Sequence, residues 1–512
     1  MKKGFTLIEL LAVIIILAIL MVVAVPNVLS TLNDAKEKTF VTQAQSIWKA
    51  AEQKFIVDSL TGSQSKCYDL SNPLDLGTVS DSISYVVEMD VQTGKVVSIN
   101  VLDTTQNFKA SGTTTNGITV SVESSNTALV CGGETYLDET IAVAPKLGNM
   151  IPIKWDGSKW IYAKASEKWY DYANKEWANA VVLSESAGKK KVGDEITESE
   201  IDLWFVWVPR YEYKLPADSI GTIGTPKAID INFISSSVTT PTEGYAFHPG
   251  FAWDSDWSDG ISEWKDGMWI GKFESTAAEP ESNSVQKIKI KADISPWREA
   301  DLQNIYTSGL NLDTDYRITN LDSHMTRYTE WSAISYFTNS IYGLCSSATS
   351  CVEIGINQTE YFTGAGNYKA NANLSTTGNI TGIYDMRGGV YEKVMGGLKE
   401  SVIEDFGENQ VDNKYVDVFT SSNPNIESYS FITSVNGTNS MNGIFKELAA
   451  NYDDIITWYA DALMGISLEW PWFGVGLDGE ADMSVYSGIF ASGGDAKTGA
   501  PNGGMRVALV SK

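Results

Sequence analysis

Residues 2–4 are Lys-Lys-Gly, and the next twenty-one residues, Phe5 to Val25, are almost wholly apolar except for one carboxylate, Glu9. As a helix rising about 1.5 Å per residue, this run spans roughly 30 Å, one bilayer core. A carboxylate in hydrocarbon costs about 2.5–3.5 kcal/mol on insertion scales, so Glu9 needs a partner. From Pro26 onward the apolar residues Val28, Leu32, Phe40, Ala44, Ile47, Ala51 and Phe55 recur at helical spacing among Asn33, Lys36, Glu37 and Lys38. The pattern predicts one helix over 5–58, kinked or loosened at Pro26, which lacks a backbone donor.

Lys2, Lys3, Gly4, Phe5, Glu9 and Pro26 together resemble a type IV prepilin leader. The resemblance implies a cut between Gly4 and Phe5 by a prepilin peptidase, which also methylates the new Phe5 amino group. It implies that Glu9 meets the α-amino group of a neighbouring pilin subunit in a filament. The precursor would wait in the inner or cytoplasmic membrane, and the mature chain would stand at the cell surface or in an extracellular filament. The plainer alternative is a secretory signal peptide or a one-pass anchor. A signal peptide ends in a small-residue cleavage site, whereas here Val-Ala-Val-Pro-Asn-Val-Leu-Ser leads into amphipathic helix.

The alternating or β-branched runs Ile83 to Met89, Lys95 to Leu102 and Gly117 to Val122, with a turn at Gln92-Thr93-Gly94, predict a small antiparallel sheet. This gives a pilin-like head over 59–148. Cys67 and Cys131 flank it, and an oxidising surface location suits a bridge between them, with two free thiols as the alternative. Fifteen of the sixteen tryptophans lie after residue 150, so a different module begins there. Trp155-Asp-Gly-Ser-Lys-Trp160 and Trp169 to Trp177 read as two aromatic hairpins within a segment 149–200 that ends in a polar linker. Such rings either stack on sugars or simply hold a small sheet together.

A formal charge of −26 argues against nucleic acid as a partner, and two histidines preclude a multi-histidine metal site within one chain. From Leu203 the chain carries a buried strand, then Trp269-Ile-Gly-Lys-Phe-Glu-Ser-Thr276, Gly378-Asn-Ile-Thr-Gly-Ile-Tyr-Asp-Met-Arg-Gly-Gly-Val-Tyr-Glu392 and Gly503-Gly-Met-Arg-Val-Ala-Leu509. In order and spacing these segments resemble the formylglycine-generating-enzyme or sulfatase-modifying-factor module over about 201–512. That resemblance implies a loop-rich, mixed α/β, C-type-lectin-like fold, and so an α+β chain overall: a long N-terminal pilin helix with a small antiparallel sheet, then the lectin-like domain. The family's enzymes need paired cysteines near the end of the domain, or three histidines for iron; here no cysteine follows Cys351. A catalytic role is therefore not expected, and no cofactor is called for.

Cys345 and Cys351 suggest a small disulfide loop. Asp254, Asp256, Asp259 and Glu263 offer closely spaced oxygens of the kind a structural calcium prefers, although the third acid comes one position late for an EF-hand, and a solvated acidic loop is the plain alternative. The lectin-like resemblance implies a binding face in the loops between Trp472 and Arg506, with Asp478, Asp482, Tyr486, Phe490, Asp495, Lys497 and Asn502 as candidate contacts for a glycan or protein ligand; a plain surface loop is the alternative. The expectation is a pilin-like subunit displaying a large head for adhesion or ligand recognition. Its rivals are a structural pseudopilin-like subunit of a secretion or DNA-uptake machine and, least favoured, a tethered enzyme.

Overall fold

The computed structural model describes residues 35–60, most of 67–130 and of 133–431, residue 459, and residues 471–476, 488–495 and 503–511. Gly4, Phe5, Glu9 and Pro26 lie outside the described residues. The architecture is mixed α+β, with several antiparallel sheets and few helices. It divides into two compact units, Met1–Thr135 and Tyr136–Lys512.

In the first unit residues 35–60 are helical. Phe40, Ala44, Ile47, Ala51 and Phe55 are buried at steps of three and four, the spacing that keeps one face of a helix on a core. That core is supplied by a five-stranded antiparallel meander: Cys67–Asp69, Ile83–Asp90, Lys95–Asp103, Phe108–Thr113 and Thr119–Val122. Val87, Val96, Ile99, Val101 and Ala110 meet the helix in one apolar cluster. Cys67 is disulfide-bonded; Cys131 lies outside the described residues.

The second unit starts earlier than the tryptophan distribution suggests. Its main sheet has seven antiparallel strands in the order Leu321–Met325, Val507–Ser511, Gly267–Gly271, Ile201–Pro209, Asn179–Leu183, Ile151–Trp155 and Trp160–Tyr162. Where the sequence suggests boundaries at 148 and 200, residues 136–148 lie in the second unit and the aromatic segment 149–200 supplies flanking strands of its sheet. The reason is pairing over distance. Asn179–Leu183 bonds to Ile151–Trp155 on one side and to Ile201–Pro209 on the other, so the polar stretch between them is a loop within a sheet. The first aromatic hairpin forms as expected, turning at Asp156-Gly157. The second closes through an Asp171 to Glu176 bridge around a short 3-10 turn, Tyr172–Asn174.

A second mixed sheet is centred on Tyr391–Leu398, which runs parallel to Asp417–Ser421 and Gly503–Met505 and antiparallel to Trp472–Val475. The helices Leu302–Asp315 and Tyr328–Thr338 belong to the same unit, and the second is buried along its whole length. One apolar cluster, rich in Trp, Tyr and Phe, runs through the unit. Cys345 and Cys351 form a disulfide across a tight hairpin.

Candidate functional site

The aromatic flank of the large sheet encloses a groove of about 920 Å³. Trp155 and Trp160 reach it from the two arms of the first hairpin, and Trp169, Tyr170 and Trp177 from the second. The loop after Gly378 closes the far side with Asn379, Ile380 and Thr381. The rings brace one another edge to face, with centroids 5.5 Å apart for Trp155 and Trp160 and 4.8 Å for Trp169 and Tyr170. This geometry is favoured by the aromatic quadrupole.

The polar atoms of three of these rings are committed inward. Trp160 Nε1 donates to Tyr368 Oη (3.0 Å), Trp177 Nε1 to the Tyr342 carbonyl (2.9 Å) and Tyr170 Oη to the Tyr136 carbonyl (2.7 Å). Trp169 Nε1 is buried without a partner. The far wall is equally fixed: Asn379 Nδ2 donates to the Lys175 carbonyl while its Oδ1 accepts from the backbone and the hydroxyl of Thr381. The rim is different. Lys154 and Glu176 are among the residues that line the groove, and their side chains make no hydrogen bond or ion pair among the described residues. Lys369 also lines it, pairs with Glu198 at 2.7 Å and stands 5.6 Å above the Trp155 ring.

A second cluster lies in the interior, where the segments bearing the module resemblance meet. Arg506 donates to both carboxylate oxygens of Glu392, from Nη2 to Oε1 (2.6 Å) and from Nε to Oε2 (3.2 Å), and to the carbonyls of Gly271 and Tyr384. Asp385 accepts from Asn357 Nδ2 and the Gly364 amide, and Glu274 accepts from the Val390 amide. Three buried carboxyls thus share one guanidinium. Burial pushes Glu392 up to about 7 and Asp385 to about 6. Glu274, which makes no ion pair among the described residues, is raised well above the ordinary range by burial and by its two acidic neighbours.

Glu330 is the opposite case. His324, Lys265 and Arg327 surround it and hold its carboxyl well below the usual range in spite of complete burial. His248 is ringed by Tyr211, Tyr213, Phe251 and Tyr336; its Nδ1 accepts from the Gly250 amide, and burial lowers it to about 3. Both histidines are tied into the core.

The loop residues expected to form a binding face are only partly described. Asp478, Asp482, Tyr486, Lys497 and Asn502 lie outside the described residues, and Asp495 ends the edge strand Ser492–Asp495, opposite Trp472. Phe490 is not a surface contact: it is fully buried, packed on Tyr459 and Tyr336. Its glycine-rich neighbourhood suggested a loop, but the ring fills the core. Of the acidic run, Asp254, Asp256 and Asp259 lie outside the described residues and Glu263 is exposed. No grouping of three or more metal-capable side chains occurs among the described residues. The sequence leaves the two aromatic hairpins open between stacking on sugars and holding a small sheet together, because the same rings serve both; the groove they line, with Lys154 and Glu176 unpartnered among the described residues, exists only in three dimensions.

Comparison with known proteins bears on the N-terminus. Residues 1–25 match the family described as the prokaryotic N-terminal methylation motif. The chain therefore carries a type IV pilin-like or pseudopilin-like N-terminus, which fits a membrane-anchored precursor that is later exported, a prepilin peptidase that processes it and pilin subunits as partners. No curated protein matches the chain. Among solved structures it is similar to PvdO from Pseudomonas aeruginosa, at 11% identity over 63% of this chain and 100% of that one, with a TM-score of 0.26. No helix among the described residues is long and apolar enough to cross a membrane.

Proposed function

We propose that the chain is a filament subunit whose second unit is a lectin-like head that works at the cell surface by binding rather than by catalysis. The observation that carries the reading is the methylation motif at residues 1–25, joined to a helix 35–60 that packs on an antiparallel meander. The lectin-like reading of the head draws support from the meeting of its two signature segments at the Glu392 to Arg506 pair. In a filament each weak head contact is multiplied by local concentration, so attachment needs no strong single site.

The test begins with mass spectrometry of the chain produced beside a prepilin peptidase, which should show a mature N-methylated Phe5. Glu9→Ala should be cut normally yet stay in the membrane instead of the sheared surface fraction, because the unpaired α-amino group of its neighbour blocks docking. Retention of the uncut precursor would overturn the filament reading. Filaments whose removal leaves attachment of the cells unchanged would replace the adhesive head with the structural, pseudopilin-like role.

A further inference from the structure

We propose that the groove between the two aromatic hairpins and the Gly378–Thr381 loop is a carbohydrate site, taking a short oligosaccharide with a sugar ring stacked on Trp155 and its hydroxyls held by Lys154 and Glu176. This names a ligand class for the displayed head and rests on that reading for its biological sense. The binding itself does not require a filament.

Three observations carry the argument. The volume, about 920 Å³, lies at the upper end of small-ligand sites, larger than a single sugar requires. The indole N–H groups of Trp160 and Trp177 and the Tyr170 hydroxyl all bond inward and these rings are buried, so they stiffen the wall and leave Trp155 as the ring a ligand can reach. One indole face suits the C–H face of a pyranose, whereas a proline-rich peptide, read through several ring N–H or O–H donors turned toward its carbonyls, finds those of Trp160, Trp177 and Tyr170 already bonded inward. Finally, the rim supplies a cation and a carboxylate without partners among the described residues, Lys154 and Glu176, a donor and an acceptor for groups such as sugar hydroxyls that both donate and accept. Trp155 is the half-buried ring of the set, and Lys369 above it closes one end.

None of the residues that line the groove belongs to the segment between Trp472 and Arg506. It is also rigid, because its rings belong to the core and its far wall is bonded to Lys175, so little ordering entropy opposes binding.

The experiment uses the full chain in a detergent without sugar headgroups, titrated with chitotriose, cellotriose or maltotriose and followed by tryptophan fluorescence and calorimetry. A proline-rich decapeptide serves as the competing class. Saturable binding of at least one trisaccharide is expected, weakened about tenfold in Trp155→Ala and about threefold in Glu176→Gln and Lys154→Met. If Trp155→Ala melts below the parent, the decision passes to the two rim variants, whose side chains have no partners to lose. No saturation by a folded chain, binding that all the variants leave intact, or binding of the peptide alone would each overturn the proposal. None of these results depends on whether the subunit assembles, so failure here and failure of the filament reading are distinguishable.

Discussion

Gly389 has φ +75°, and a Cβ built there would lie 2.4 Å from Glu274 Oε1. Both the left-handed backbone and the close carboxyl exclude a side chain, since the contact is with a fully buried group that cannot retreat. Gly389→Ala should therefore cost about 1–3 kcal/mol in the urea unfolding of the second unit; an unchanged midpoint would show that the Tyr391–Leu398 strand can shift. His248 gives a spectroscopic counterpart. With Nδ1 accepting from Gly250 and burial lowering it to about 3, its ring resonances should stay constant from pH 8 to pH 4. A midpoint between 5 and 7 would mean that water reaches the ring. Neither feature is legible in the order of residues. Phe247-His248-Pro249 gave no sign of the four rings around the imidazole, because they come from positions as far away as Tyr211 and Tyr336.

Among the elements, the helix 35–60 and the strands Ile83–Asp90 and Lys95–Asp103 were readable because their apolar residues repeat at the period of the structure they form. Phe108–Thr113 was not. Only the two ends of Phe-Lys-Ala-Ser-Gly-Thr, Phe108 and Thr113, have a strand preference, and the segment is held by neighbours on both sides, where Ala110 and Gly112 suit a crowded inward face. The helix seam predicts its own measurement. Ile47→Ala removes a fully buried side chain and should cost about 2–4 kcal/mol. Because the first unit has its own apolar cluster, calorimetry should show one transition lowered and the other unmoved. A uniform fall of both would mean that the two units unfold as one.

At the scale of the whole molecule, the buried carboxyls set how stability follows pH. Glu274, Asp385 and Glu392 all titrate higher in the folded chain than in the unfolded one, so the folded state binds more protons between the ordinary carboxylate range and about pH 7. Their stabilising contribution is complete below the unfolded values and is lost as pH rises through the folded ones. Glu330, depressed by His324, Lys265 and Arg327 around it, acts in the opposite sense and only at lower pH. His248, lowered to about 3, opposes them by adding stability as pH rises through the range of unfolded histidine, so the carboxyl contribution is read by difference: between pH 5 and pH 8 the melting temperature of the parent should fall relative to that of Glu274→Gln. Parallel profiles for the two proteins would mean that Glu274 is ionised in the folded chain. The formal charge of −26 indicated nothing of this, since it counts acids without saying which are buried.

The strand Val507–Ser511 lies between Gly267–Gly271 and Leu321–Met325, inside the seven-stranded sheet, although it comes after every other strand of that sheet in the chain. During synthesis the sheet therefore stays open along a hydrophobic slot until residue 511 has emerged, long after the N-terminal segment has been delivered to the membrane. Folding of the head becomes a check on completeness: a chain ending before Val507 lacks an interior strand and would be recognised as defective before it could join a filament.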